Sequence, residues 1–418
     1  MTNDVKKVPE LRFPEFNEDW NERTLSDSIK ILKSGLSREL STTDIGLPVI
    51  RANNLQNYNL VLDDIKYWFK EDPKGAKTEN YYLEKNDILV NFINSEAKMG
   101  TSCIIKSDFK RDTIYTTNIL RYVTKEAYDS YFHYIYTQTY NYKKWIKIIT
   151  KPAVNQASFT TVDFKKIPYY IPEFKEQQKI GDFFSKLDRQ IELEEKKLEK
   201  LEEQKKGYMQ KIFSQELRFK DENGNDYPEW EEINLGSLYK KGKAGGTPKS
   251  TESKYYNGKV PFLSISDITK QGKFLNTTEK KITQEGLDNS TAWLVPVNSI
   301  NYAMYASVGY LSINKIEVAT SQAIFNMVFE DYNLVEYLYY YLNYIRDKGV
   351  LEKLMGTGTQ SNLSASIMKN ITVKLPSKNE IIKTSKFLGN VDELIETQSS
   401  KVELLKERKE GLLQKMFV

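Results

Sequence analysis

Histidine and cysteine are nearly absent from this chain, with one of each, His133 and Cys103, among 418 residues. A lone cysteine closes no internal disulfide, and these two side chains cannot supply the four ligands of a structural zinc cluster. The same scarcity excludes a catalytic triad that needs a spare histidine beside a paired nucleophile. No apolar run approaches the length of a membrane span or signal peptide, so a soluble, cytoplasmic chain is expected. A large excess of charge is missing too. The 61 basic residues face 57 acidic ones, a balance that permits nucleic-acid binding without demanding it. Aromatics, by contrast, are plentiful, with 28 tyrosines and 19 phenylalanines.

The chain also contains itself twice. A shift of 204 positions lays Gln156, Phe159, Lys165, Ile167, Pro172, Leu187, Asp188 and Ile191 onto Gln360, Leu363, Lys369, Ile371, Pro376, Val391, Asp392 and Ile395, without a gap. The halves begin alike, at Leu11-Arg12-Phe13 and Leu217-Arg218-Phe219, and end alike, at Gln210–Phe213 and Gln414–Phe417. Such a repeat presents two related surfaces at once.

Each half reads in the same order. Apolar runs around Val49, Leu89, Ile104 and Leu120 predict strands. An aromatic helix is predicted from about Tyr128 to Trp145, and its counterpart from about Leu334 to Ile345. A long charged helix closes each half, over 173–214 and 377–418, with Pro172 and Pro376 placed just before them, where a missing N–H does no harm. The domains expected are therefore 1–172, 173–214, 215–376 and 377–418.

Steps of four and three along the first long helix give Leu187, Ile191, Glu194, Leu198, Leu201, Lys205, Tyr208 and Ile212. The second gives Val391, Ile395, Gln398, Val402, Leu405, Lys409, Leu412 and Met416. This is a coiled-coil seam. Antiparallel pairing with Glu194 facing Lys409 and Lys205 facing Gln398 sets every apolar layer against another. In a one-heptad slip either charge meets an apolar residue, so that register is disfavoured.

The chain resembles the specificity subunit of a type I restriction-modification enzyme. The resemblance covers nearly its whole length and is carried by LRFPEF around Phe13 with Trp20 and Leu25, by IPEFKEQQKIGDFFSKLDRQIE (Ile171–Glu192), by GTQSNLSASIMKNITVKLP (Gly358–Pro376) and by the terminal LLQKMF. It implies an α+β, pseudo-twofold chain with two homologous mixed α/β target recognition domains, held by two long helices that form an antiparallel intramolecular coiled coil. Each domain would read one half of a bipartite DNA target. The helices would set the spacing and dock two methyltransferase subunits, and restriction/translocase subunits would join that core. The first half departs from the pattern, with AVNQASFTTVDF (Ala153–Phe164) where the second keeps GTQSNLSASIM.

The chain lacks the glycine-rich cofactor turn and the Asn- or Asp-Pro-Pro-aromatic element of an adenine methyltransferase. Lys74–Thr78 supplies only the end of a phosphate loop and reads as an exposed turn after Pro73. The chain is thus expected to bind while its partners catalyse, with S-adenosylmethionine, ATP and Mg²⁺ held by those partners and no metal or cofactor of its own. Rival classes are a self-contained enzyme acting on nucleic acid and a coiled-coil adaptor whose domains bind proteins.

Base readout needs paired donors and acceptors, with Lys or Arg nearby for phosphates. Polar runs that break apolar strands are the candidates. In the first half these are Arg51, Asn53 and Asn54; Asn91, Asn94, Ser95 and Lys98; and Thr117 and Asn118. In the second half they are Ser264, Ser266 and Asp267; Tyr302, Tyr305 and Ser307; and Ser321 and Gln322. A glycine-rich loop adds Lys243, Thr247 and Lys249 as phosphate contacts, a basic stretch around Trp145 adds Lys151, and the resemblance implies a DNA-contacting loop with Asn155 and Gln156 in the first half and Gln360 and Ser361 in the second. Turn-forming Asn and Ser are also common for backbone reasons. Trp145 and His133 read as packed rather than functional.

Overall fold

The computed structural model of the protein describes residues 8–355 and 363–418. They form two compact units, residues 8–195 with Ser400–Val418, and Lys196–Ser399.

In the first unit an antiparallel sheet runs in the order Ile29–Ser34, Ile119–Thr124, Ile88–Asn91, Ser102–Ile104. All four positions of Ile88–Asn91 are buried, because both faces of the sheet are covered. One face meets a core with Trp20, Phe132, Phe164 and Phe184; the other, through Leu89, Cys103 and Ile119, meets Ile50, Leu55, Leu83 and Tyr115. A smaller sheet places Leu47–Ile50 between Ile114–Tyr115, parallel, and Lys66–Trp68, antiparallel.

The aromatic stretch expected as one helix is two, α1 (Ser130–Tyr136) and α2 (Tyr140–Ile149). Threonines make the break. Thr137 Oγ1 donates to the Tyr134 carbonyl at 2.5 Å, and the Thr139 hydroxyl accepts from the Tyr142 N–H at 3.3 Å, capping α2. His133 is packed inside α1, its ring nitrogens 2.8 Å from the Asp129 carbonyl and 2.9 Å from the Tyr169 hydroxyl. Burial pushes its pKa down to about 4. Trp145 lies partly buried against the main core.

The second unit repeats this plan. Its main sheet runs Lys241–Ala244, Ile324–Val328, Ile300–Ala303, Leu311–Asn314, Phe274–Leu275, antiparallel except for the last pair. The small sheet places Tyr256–Leu263 between Lys280–Ile282 and Ala319–Thr320, the latter parallel. The long helices are α3 (Phe174–Phe213) and, after α4 (Ile265–Gln271) and the tyrosine-rich α5 (Tyr332–Asp347), α6 (Lys378–Lys415).

The repeated Leu-Arg-Phe motif anchors each unit to the start of a long helix. Arg12 donates from Nε and Nη2 to the two oxygens of Glu176, both at 2.7 Å, and Arg218 does the same to Glu380 at 3.1 and 2.9 Å. Both carboxylates are essentially fully buried, so each needs this fork–fork partner.

Within each unit the long helices run antiparallel. In the first, Asp188 meets Lys409 at 2.6 Å, while Glu194 and Glu195 meet Lys401 and Lys406 at 2.5 and 2.8 Å. In the second, Lys205 meets Asp392 at 2.6 Å and Tyr208 packs edge-on against Phe387. The expected register is thereby corrected. Glu194 pairs eight positions before Lys409, and Lys205 pairs six before Gln398, a slip of about one heptad. That register was disfavoured for leaving charge against the apolar seam. It does not, because each charge reaches sideways to a partner flanking the seam. Of the seam residues, Leu187, Ile191, Ile212, Val391, Gln398, Val402 and Met416 are buried; Leu198, Leu201, Ile395, Leu405 and Leu412 are half-buried. Tyr208 is 37 % exposed, and Met209 beside it is buried in its place.

Candidate nucleic-acid interface

In the first unit the candidate loops converge on one edge of the sheets. The Thr116 N–H donates to the Ile50 carbonyl at 3.0 Å, tying the Thr116–Asn118 turn to the turn at Arg51. Asn118 Nδ2 donates to the Ile93 carbonyl at 3.3 Å. Ala157–Ser158 pairs antiparallel with Ile93–Asn94, and Lys151 pairs with Ser158, which brings the Lys151–Gln156 loop alongside. Asn53, Ser95, Lys98, Lys151, Asn155 and Gln156 are exposed there, with Asn94, Thr117 and Asn118 half-buried between them. Next to them Lys143, Lys147, Tyr58, Met99 and Gly100 line a cleft of about 620 Å³. Tyr58 was missed from sequence; its backbone is left-handed at φ 62°, which nothing in the local residue pattern announces.

The second unit gathers its loops in the same way. The Gly246 N–H donates to the Thr320 carbonyl at 2.8 Å, and Thr247 Oγ1 to Gln322 Oε1 at 2.7 Å. A side chain at Gly245 would sit 2.0 Å from the Thr320 carbonyl oxygen, so the glycines serve this close approach. The Met304 N–H donates to the Ala323 carbonyl, and Met304 accepts from the Leu363 N–H, both at 2.9 Å. Lys243, Thr247, Lys249, Ser266, Tyr305, Ser307 and Gln322 are exposed; Ser321 is half-buried and accepts from the Ala323 N–H at 3.3 Å. Lys249 lies 3.7 Å from Glu252. Gln360 and Ser361 lie outside the described residues. Tyr310, 45 % exposed beneath the Arg346 guanidinium at 4.5 Å, is a further aromatic that sequence reasoning missed, although it follows the turn glycine Gly309 directly.

Several sequence candidates hold the loops rather than face outward. Asn54 is buried; its Oδ1 accepts the Arg51 N–H at 2.9 Å and its Nδ2 donates to the Val61 and Asp63 carbonyls. Asp267 is buried at the equivalent place, accepting from the Ser264 N–H at 2.9 Å and the Ser264 hydroxyl at 2.6 Å. Both are capping devices of one repeated turn, whose outward positions are Asn53 and Ser266. Arg51 folds back onto the Asp64 carboxylate at 2.7 Å and pulls it below its ordinary pKa. Asn91 is buried, donating to Thr101 Oγ1 at 2.9 Å, and Tyr302 is a core residue whose phenol burial pushes up. These five corrections share one cause: the folded turn or an adjoining segment takes up the side chain, by a hydrogen bond or ion pair for Asn54, Asp267, Arg51 and Asn91 and by an apolar wall for Tyr302.

The fold and these edges define two related modules, each presenting a polar, partly basic loop cluster and each resting on its part of a long helix pair. Residues 17–203 and 227–406 match the family of the type I restriction modification DNA specificity domain, and the chain belongs to it. It is 27 % identical over 411 residues, 96 % of this chain and 93 % of the relative, to a protein of Methanocaldococcus jannaschii bearing the name type I restriction enzyme MjaX specificity subunit. It is also 27 % identical over 174 residues, 41 % of this chain and 38 % of the relative, to the HindI specificity subunit of Haemophilus influenzae. The crystal structure of the S subunit from M. genitalium shares the fold at TM-score 0.60, with 18 % identity over 98 % of this chain and 99 % of that one. A chain from a study of complex assembly and conformational transition of the type I R-M system matches at TM-score 0.56, with 15 % identity over 95 % and 97 %.

Proposed function

We propose that each unit reads one half of a bipartite, asymmetric double-stranded DNA target through its loop edge, that the helix pair sets the unread gap and docks two methyltransferase subunits, and that the chain is itself non-catalytic. The observation that carries this reading is the recurrence of one polar loop edge in both units, with the same capped turn offering Asn53 in one and Ser266 in the other. Restriction/translocase subunits join through the methyltransferase core. S-adenosylmethionine, ATP and Mg²⁺ belong to those partners, in keeping with a sequence that lacks the methyltransferase elements.

With a net charge of only +4, the chain alone has modest phosphate attraction, and the assembly shows the steeper salt dependence. The test is to co-express the chain with its methyltransferase subunit and map methylated adenines. Two short words separated by a fixed gap are expected, and a contiguous motif or none refutes the reading. Four residues inserted into α3 add about 6 Å of helix against ~3.4 Å per base pair, so the gap lengthens by one or two base pairs. Purified chain with DNA, Mg²⁺ and methyl donor yields neither methylation nor cleavage; activity there would establish an enzyme.

A further inference from the structure

Resting on the DNA-reading function above, we propose that two repeat-related clasps, Lys409–Asp188–Tyr131 and Lys205–Asp392–Tyr340, orient each recognition module on its helix pair and thereby confine the chain to one length of unread DNA. The two clasps use the same atoms. Asp188 receives the Lys409 ammonium on Oδ1 at 2.6 Å and the Tyr131 hydroxyl on Oδ2 at 2.8 Å. Asp392 receives the Lys205 ammonium on Oδ1 at 2.6 Å and the Tyr340 hydroxyl on Oδ2 at 2.5 Å. Asp188 and Asp392 are 204 positions apart, as are Lys205 and Lys409, so each long helix gives the carboxylate of one clasp and the ammonium of the other. The two tyrosines come from the modules, Tyr131 from α1 and Tyr340 from α5. Three elements therefore meet at one carboxylate in each unit.

Neighbouring groups tighten each clasp. Lys409 also donates to Gln138 Oε1 at 2.8 Å, and Lys273 donates to the Tyr340 hydroxyl at 2.8 Å. Asp188 and Lys409 keep only 9 % and 14 % of their side chains exposed. Burial, with the carboxylate alongside, pushes both tyrosine hydroxyls well above their ordinary pKa, so they remain donors. In any other helix register these poorly solvated charges lose their partners, which makes the pair a register device. One base pair adds ~3.4 Å and about 35° to the separation of two DNA words. Rejecting a neighbouring gap length then depends on holding the module's orientation on its helices. The hydroxyl tether does that, and an ion pair between the helices alone does not. These are positioning residues, touching no base.

The experiment maps methylated adenines for the full chain with its methyltransferase subunit, as wild type, Tyr131→Phe, Tyr340→Phe, Asp188→Asn, Lys409→Asp and the exchange Asp188→Lys with Lys409→Asp. A wild-type map without a two-part motif refutes the DNA-reading function itself; a single gap length sets the baseline. Tyr131→Phe and Tyr340→Phe remove one hydroxyl oxygen each and keep the packed ring and the ion pair, so both are expected to fold. They are expected to read the same two words while methylation at gaps one base pair longer or shorter rises about tenfold relative to the cognate gap, the scale of one lost charge-assisted bond. Asp188→Asn and Lys409→Asp relax the gap at least as far, and the charge exchange restores it relative to Lys409→Asp alone. Variants that lower the melting temperature or total methylation but keep the single gap length would show a merely structural ion pair and overturn the proposal.

Discussion

Phe417, the penultimate residue, is buried in the first unit, about four hundred positions from that unit's start. Its ring lies edge-on to Trp20 at 6.1 Å and packs on Phe132 at 5.3 Å and Phe184 at 6.2 Å. Its repeat equivalent, Phe213, is buried in the second unit against Tyr337, Tyr341 and Tyr344. Each core is thus completed by a phenylalanine at the end of a long helix or just past it, Phe213 closing α3 and Phe417 two residues beyond α6, and each of these helices begins in the other unit. Removing a buried phenylalanine costs roughly 3–5 kcal/mol, and because Phe417 lies at a helix end that relaxes, about 3 kcal/mol is expected for Phe417→Ala. At 1.36 kcal/mol per decade that is about a hundredfold loss of protection. Hydrogen exchange resolves where it falls. Amides of Ile88–Asn91 and Ile119–Thr124 should speed up, while those of Ile300–Ala303 and Ile324–Val328 keep their rates; Phe213→Ala should give the converse. Equal acceleration in both sheets, or none, would refute the exchanged-core reasoning.

Other expectations follow from single contacts. Arg12→Ala strands the buried Glu176 carboxylate and should destabilise the first unit by about 3 kcal/mol in denaturant unfolding, whereas Arg12→Ala with Glu176→Gln should recover part of it; no recovery would mean the ion pair is not the cause. His133 is the chain's one histidine, so the Cε1 proton of its imidazole gives one identifiable resonance. With its folded pKa near 4, below the unfolded ~6.5, the unfolded state binds the extra proton between those values. Its contribution to stability is therefore present above about pH 6.5 and lost as pH falls toward 4, and the resonance should not titrate between pH 7.5 and 5.5. A midpoint near 6.5 would show an accessible ring. Asn54→Ala should lower stability by about 1–3 kcal/mol in thermal unfolding, through the unpaired Val61 and Asp63 carbonyls and Arg51 N–H; an unchanged melting temperature would contradict the assigned role.

The features legible in the sequence were those with long periods. A 204-residue repeat and seams carried on helices of 40 and 38 residues impose themselves through many weak matches, and they define the paired helices and the family. Helix register was not legible, because matching Glu194 and Lys205 only across the seam ignores the lateral reach of Lys401 and Asp392. The break at Thr137–Thr139 was hidden for a similar reason, since an aromatic 3.6-residue pattern continues on both sides of it. The loop edge was legible as a set: breaks in apolar strands found the segments. Which side chains face outward was not, because Asn53 and Asn54 have the same chemistry, and only the folded turn sends one to solvent and the other to the Val61 carbonyl.

Those two outward positions give the most direct test of the central claim, that the two units read separate words. Asn53→Ala and Ser266→Ala occupy the same place in the repeated turn, one per unit. Methylated adenines mapped with the methyltransferase subunit should show each substitution relaxing one half of the motif and leaving the other half and the gap intact, with opposite halves affected. Both substitutions acting on the same half, or each weakening both halves equally, would contradict it.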